Sequence, residues 1–135
     1  MSSTVYRKAH FNAAHRLFRK GWSDEKNLEV FGKCSNPNYH GHNYELEVGI
    51  TAGIDPETGF VIDLSLLKNI IKEEVEIPFD HKNLNVEVVE FQDLNPTVEN
   101  IAMVIWNKLR QRLDASYQIS VKLYETPRNF VVYTG

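Results

Sequence analysis

A single cysteine, Cys34, in a chain of 135 residues has no partner for an internal disulfide, so the chain fits a reducing cytosol. No apolar run approaches the roughly 20 residues that span a bilayer. The opening M-S-S-T-V-Y-R-K-A-H lacks the apolar h-region of a secretory signal, and the expected location is cytoplasmic. Positive charge is not in surplus. Fifteen basic against eighteen acidic residues give a formal charge of −3, with neither the basic footprint of a nucleic-acid binder nor the polybasic run of a membrane-surface protein. A G-x-G-x-x-G fingerprint is absent, so nothing points to a dinucleotide. With no internal repeat, low-complexity tract or linker, residues 1–135 are expected to form one domain.

What is present is an ordinary globular balance, 42% hydrophobic and 24% charged, with clear periodicities. Residues 5–15 alternate: Val5, Ala9, Phe11, Ala13 and His15 share one parity, and Tyr6, Lys8, His10 and Asn12 the other. Ser23 can cap a short helix with Asp24 and Glu25 in its first turn. Alternation returns from His42 through Tyr44, Leu46, Val48 and Ile50, and I-D-P-E-T-G-F supplies a turn into a short strand at 60–62. Asp63 caps a helix with an apolar stripe of Leu64, Leu67, Ile70, Ile71 and Val75, which Pro78 is expected to end. A second helix is expected to start at N-P-T-V-E-N, with Asn95 as cap and Pro96 in the first helical position. Its stripe is Val98, Ile101, Ala102, Ile105, Leu109 and Leu113. Closing strands fall at 119–125 and 130–133. The expected fold is α+β, a four-stranded antiparallel sheet with two helices packed on one face. Such a core is thin, so the other sheet face should need a partner subunit.

The sequence H-G-H places His40 and His42 on the same face of a strand, with Cα atoms roughly 6.5–7 Å apart. Both imidazoles can therefore reach one ion at ~2.0–2.1 Å. His15 is the natural third ligand: it ends a strand able to pair with the His42 strand and shares the inward parity of Phe11. Three imidazoles with an open fourth position describe a catalytic zinc site. Incidental histidines are the plainer alternative, and Cys34 as a fourth ligand would make the site structural. His10, on the opposite parity, reads as a surface or interface residue.

Only a thiolate is a competent base or nucleophile, so Cys34 needs a positive neighbour or a general base; Lys33 adjoins it. In F-D-H-K-N-L-N, Asp80 can orient His81 if the two lie in a turn, although D-H pairs are usually solvated loop residues. Glu125 continues the parity of Ile119, Val121 and Leu123, so an acid extends an apolar face. A buried carboxylate is costly unless paired. Either the strand twists outward there, or Glu125 receives the two in-plane N–H groups of a guanidine-like ligand edge.

Taken in order, F-N-A-A-H-R-L, F-G-K-C-S-N-P-N-Y-H-G-H-N-Y, I-D-P-E-T-G-F-V-I-D-L, F-D-H-K-N-L-N, N-P-T-V-E-N and L-Y-E-T resemble the 6-pyruvoyl-tetrahydropterin synthase family over nearly the whole chain. The resemblance implies a tunnelling fold assembled as trimers, usually doubled to a homohexamer. It implies zinc on His15, His40 and His42, Cys34 as the proton-abstracting base, an Asp80–His81 relay, and Glu125 as the anchor of a pterin's amino-pyrimidine edge. Thr97 and Glu99 would line the pterin pocket, in the same or a neighbouring subunit. The implied substrate is 7,8-dihydroneopterin triphosphate, with magnesium a candidate companion of its triphosphate. One branch of the family forms 6-pyruvoyl-tetrahydropterin and another forms 6-carboxy-tetrahydropterin with acetaldehyde, toward queuosine. The five residues S-N-P-N-Y between Cys34 and His40 resemble the pyruvoyl-forming branch, whereas N-P-T-V-E-N resembles bacterial members. A third branch carries a glutamate in place of the cysteine, and Cys34 speaks against it. An inactive pterin-binding protein of the same fold would leave Cys34 and His81 without purpose. A zinc hydrolase would leave Cys34 and Glu125 without roles.

Overall fold

Two 14-residue strands, β1 (Ser2–His15) and β2 (His40–Gly53), form the backbone of the molecule in a computed structural model that describes residues 2–135. They pair antiparallel along their full length, from Ser2 opposite Gly53 to His15 opposite His40. The helix α1 (Asp24–Phe31) lies between them in sequence. Its cap is Ser23, whose hydroxyl accepts from the Lys26 N–H, with Asp24 and Glu25 in the first turn. A 3-10 turn, Gly32–Ser35, follows and carries Cys34.

Asp63 caps α2 (Leu64–Ile71) by accepting from the Ser65 N–H at 2.9 Å. Contrary to expectation, Pro78 does not end the helical run. A π-turn over Lys72–Glu76 leads into α3 (Ile77–Phe79). The Ile77 N–H reaches back to the Lys72 carbonyl, and the Asp80 N–H to that of Glu76. This wider turn accommodates a residue with no N–H of its own. After β3 (Lys82–Asn83) comes the single turn α4 (Leu84–Glu87). The last helix, α5 (Val98–Arg112), is capped by Thr97 and not by Asn95. The Asn95 side chain is instead engaged by the Phe18 N–H. Two strands close the chain, β4 (Gln118–Tyr124) and β5 (Phe130–Tyr133).

The sheet order is β3-β1-β2-β4-β5, five strands where four were expected. The extra strand is β3, parallel to β1 at Ala13 and Ala14. Two residues are too few to show a period-2 pattern, which is why the sequence hid it. Residues 60–62 form no strand. Their loop closes on itself, with the Asp55 N–H on the Phe60 carbonyl and the Gly59 N–H on the Asp55 carbonyl, and Phe60 is exposed.

One face of the sheet is apolar and covered by the helices. Phe11, Tyr44, Leu46, Val48, Ile50, Val121 and Leu123 meet Leu67, Ile71, Val75, Ile101, Ile105 and Leu109, all fully buried. Phe11 stacks on Tyr44 with ring centroids 4.9 Å apart and meets Phe79 edge-on at 5.6 Å. This aromatic cluster forms a floor beneath the histidine end of the sheet; removing a ring of this kind costs ~3–5 kcal/mol. On the opposite face Tyr6, Phe130 and Val132 are more than half exposed.

Candidate metal centre and active site

Antiparallel pairing puts His15 directly opposite His40, and Ala13 opposite His42. With the shared parity of positions 40 and 42, three imidazoles meet at one end of the covered face. Ring centroids are 4.5 Å apart for His15–His40, 5.1 Å for His15–His42 and 5.0 Å for His40–His42. One ligand nitrogen from each lies within 4.8 Å of the others. The converging group, among the described residues, is these three histidines and does not include Cys34.

The state of the nitrogens suits the group to an ion. The His15 Nδ1–H donates to the Pro96 carbonyl at 2.8 Å, fixing the tautomer so that Nε2 carries a lone pair. That Nε2, both ring nitrogens of His40 and Nε2 of His42 are buried without a hydrogen-bond partner. Unpaired buried polar atoms cost about 1–3 kcal/mol each, so several in one place require a shared partner. A cation would take one nitrogen from each ring, three of the four, and leave the second His40 nitrogen over. Burial, with added repulsion from His40 and His42, lowers the His15 pKa from its ordinary 6.5 to about 4. Burial lowers His40 and His42 as well. All three are then neutral ligands at neutral pH. The Glu125 carboxylate lies 3.9 Å from His15 Nε2, but a neutral imidazole makes this a close approach and not an ion pair.

Tyr44 continues the histidine face of β2, and its hydroxyl lies 3.3 Å from His15 Nδ1. Burial pushes its phenol upward and keeps it neutral. The parity of residues 42 and 44 was visible in the sequence, whereas the Pro96 carbonyl, a backbone atom, left no side-chain signal there.

Cys34 is half-buried and lines a cleft of about 840 Å³ together with Arg16, Lys33, Tyr39, His40 and His42. Its carbonyl accepts from the Leu17 N–H at 2.8 Å. Tyr39, at φ +66°, occupies the left-handed region, unusual for a residue with a side chain, and turns the chain sharply into His40. Of the sequence-predicted residues, Cys34, His40 and His42 line this cleft, and the buried His15 lies behind them.

Glu125 follows β4 directly, with its N–H on the Asn129 carbonyl. Its carboxyl is mostly buried, and burial raises its pKa, partly countered by His40 and reinforced by Glu99. The acid therefore faces the histidines and does not twist outward. Glu99 is exposed in the first turn of α5, and the Thr97 hydroxyl accepts from the Asn100 N–H as the helix cap.

Asp80 and His81 form a close pair, carboxylate to Nδ1 2.9 Å, in the expected turn. His81 adopts φ +60° and is largely exposed. The Asn12 N–H donates to Asp80 at 2.8 Å, and the His81 N–H donates to the Asn12 carbonyl at 2.6 Å. The Asn12 N–H first, and His81 second, hold the Asp80 carboxyl below its ordinary range. These contacts place the pair on the β3 side of β1, whereas His40 and His42 lie on its β2 side. Neither residue lines the Cys34 cleft. His10 is exposed on the outer face, as its parity predicted.

Comparison with known proteins adds the family. A 6-pyruvoyl tetrahydropterin synthase family model matches residues 4–135. The human 6-pyruvoyl tetrahydrobiopterin synthase is 48% identical over 131 residues, covering 97% of this chain and 90% of the relative. A 6-carboxy-5,6,7,8-tetrahydropterin synthase of Rickettsia conorii is more distant, at 32% over 143 residues, covering 93% of this chain and 95% of that protein. The solved structure of the Caenorhabditis elegans 6-pyruvoyl tetrahydropterin synthase superposes with a TM-score of 0.94 at 37% identity, covering all of this chain and 96% of the other. By sequence, fold and histidine cluster together, the chain belongs to the 6-pyruvoyl tetrahydropterin synthase family.

Proposed function

We propose that the protein is a zinc-dependent lyase that converts 7,8-dihydroneopterin triphosphate to 6-pyruvoyl-tetrahydropterin with loss of triphosphate. The observation that carries this is the convergence of His15, His40 and His42, with unpaired ring nitrogens, where His40 and His42 also line the cleft that holds Cys34. The identity to pyruvoyl-forming relatives, higher than to the carboxy-forming one, favours this product. So does the five-residue spacing from Cys34 to His40.

His15, His40 and His42 would hold zinc, which when bound supplies a Lewis acid for the substrate's side-chain oxygens and acidifies the adjoining C–H bonds. Cys34, as thiolate, removes a side-chain proton. His81 moves protons while Asp80 fixes its tautomer through the 2.9 Å contact. Because the pair sits on the other side of β1 from its own cleft, we assign it to a cleft in a neighbouring copy of a homohexamer. Glu125 accepts the paired N–H groups of the amino-pyrimidine edge, which offsets the cost of its burial. Thr97 and Glu99 flank that edge at the start of α5. Magnesium would accompany the triphosphate, and the reaction would take place in the cytoplasm.

The test is incubation of the purified protein with dihydroneopterin triphosphate and identification of the products by mass spectrometry. A pyruvoyl pterin with free triphosphate is expected. Acetaldehyde with a carboxy pterin would assign the protein to the other branch, and no turnover by zinc-loaded protein would refute both.

A further inference from the structure

Asn85, the last residue of F-D-H-K-N-L-N, has no part in the chemistry above, yet its side chain makes two hydrogen bonds to one residue of β1's extension. Its Oδ1 accepts from the Arg16 N–H at 2.8 Å and its Nδ2 donates to the Arg16 carbonyl at 2.9 Å. A carboxamide has the donor and acceptor of a peptide group, so Asn85 adds one more rung to the ladder where β3 stops pairing with Ala13 and Ala14. The Asn85 N–H is itself held by Asn83 Oδ1 at 3.1 Å. Arg16 passes the restraint onward: its Nε donates to the Ser35 carbonyl at 2.7 Å, and its guanidinium lies 4.0 Å from the Phe18 ring centroid. Next along the chain, the Leu17 N–H holds the Cys34 carbonyl. The two residues after His15 therefore grip the two residues of the 3-10 turn that contain the thiol.

We propose that Asn85 is a positioning residue for Cys34. Through Arg16 it locks the Cys34–Ser35 turn to the end of β1, and so fixes the thiol relative to the His15 imidazole. The turn's own hydrogen bonds, Ser35 Oγ–H to the Gly32 carbonyl and the Asn36 N–H to the Lys33 carbonyl, tie it to itself and not to β1. The external restraint comes from the segment that also bears Asp80 and His81, so one short piece of chain carries the relay pair and sets the cleft geometry. The inference rests on Cys34 being the base, and its test therefore includes a readout independent of turnover.

Cys34 is the chain's only thiol, so its alkylation rate by iodoacetamide in the zinc-loaded protein reports on that turn alone. Asn85→Ala is expected to speed alkylation severalfold and to lower kcat by roughly ten- to a hundredfold, with KM and zinc content little changed. Arg16→Lys keeps the charge and the Asn85 rung but loses the Nε bond, and should reproduce both effects. If Asn85→Ala fails to fold, Arg16→Lys decides on the same readouts. Gly49→Ala, whose added carbon would sit 2.5 Å from Ser120 Oγ in mid-strand, supplies a destabilised control. Wild-type alkylation and kcat in both Asn85→Ala and Arg16→Lys would overturn the proposal, as would equal changes in the control at matched Tm. Turnover persisting in Cys34→Ala would refute the cysteine as base, while the alkylation rates would still score the clamp.

Discussion

The His15 imidazole donates its Nδ1–H to the Pro96 carbonyl at 2.8 Å, and this bond ties a candidate metal ligand on β1 to the turn that opens α5. It leaves Nε2 free and buried, matching the free nitrogens of His40 and His42. Loss of one ligand from a set of three should remove the ion, whereas loss of a residue that only lines the cleft should not. His42→Ala is expected to elute without zinc. Cys34→Ala should retain one zinc per chain and lose activity by roughly 10²–10⁴-fold. Metal analysis of both variants checks this, and a metal-free Cys34→Ala would favour a structural site with four protein ligands.

Glu125 is an acid placed against the buried His15 where an apolar residue would be cheaper. Its worth should therefore appear on ligand binding. Glu125→Gln keeps size and shape but replaces one acceptor oxygen with a donor, against a ligand edge made of donors. Pterin affinity is expected to fall by roughly ten- to a hundredfold, as for a charge-assisted pair worth ~1.5–3 kcal/mol. Zinc content should be unchanged. Isothermal titration with a pterin product analogue measures both, and unaltered affinity would refute the anchor role.

The long strands and the His15–His40–His42 convergence were legible because period-2 alternation states directly which side chains share a face. The caps of α1 and α2 were legible for a similar local reason, a serine or aspartate immediately before a periodic run. What failed was set by tertiary contacts. β3 is flanked by contacts of Asp80 and His81 to the Asn12 backbone and of Asn85 to Arg16, and its two residues carry no pattern of their own. At 60–62 the residues have strand character, but no neighbouring strand is available. Asn95 and Thr97 are both residues of N-cap type. Thr97 serves, and the Asn95 side chain accepts from the Phe18 N–H instead. The Cys34 cleft could be assembled from sequence only in part, since Arg16 reaches the turn through an atom pair that no spacing rule predicts.

Assembly is the next expectation. The outer edge of β1 is paired only at Ala13 and Ala14, and β5 has a partner on one side only. Free edges of this length, with Tyr6, Phe130 and Val132 exposed beside them, are a hazard unless another chain covers them. Sedimentation should give a particle of about 94 kDa, six copies of 15.6 kDa. A species of one chain's mass across micromolar concentrations would contradict the hexamer and the shared site with it.

Acid should weaken the metal-free protein in a defined window. The His15 pKa is about 4 in the folded chain against 6.5 when exposed, so between those values the unfolded chain binds a proton that the folded one does not. The stabilisation from neutral His15 is fully present above pH ~6.5 and is lost as pH falls toward 4, at up to about 1.4 kcal/mol per unit. His40 and His42, also lowered, add in the same direction. Glu125, raised by burial, acts in the opposite sense. Asp80 lies below the window because its folded pKa is under the ordinary carboxylate value. Urea midpoints in the presence of a chelator, at pH 7 and pH 5, separate these contributions when wild type is compared with His15→Gln. The wild type should lose roughly 1–2 kcal/mol more than the variant over that interval. Equal losses would mean that His15 is protonated in the folded chain, and then it could not be a ready ligand at mildly acidic pH.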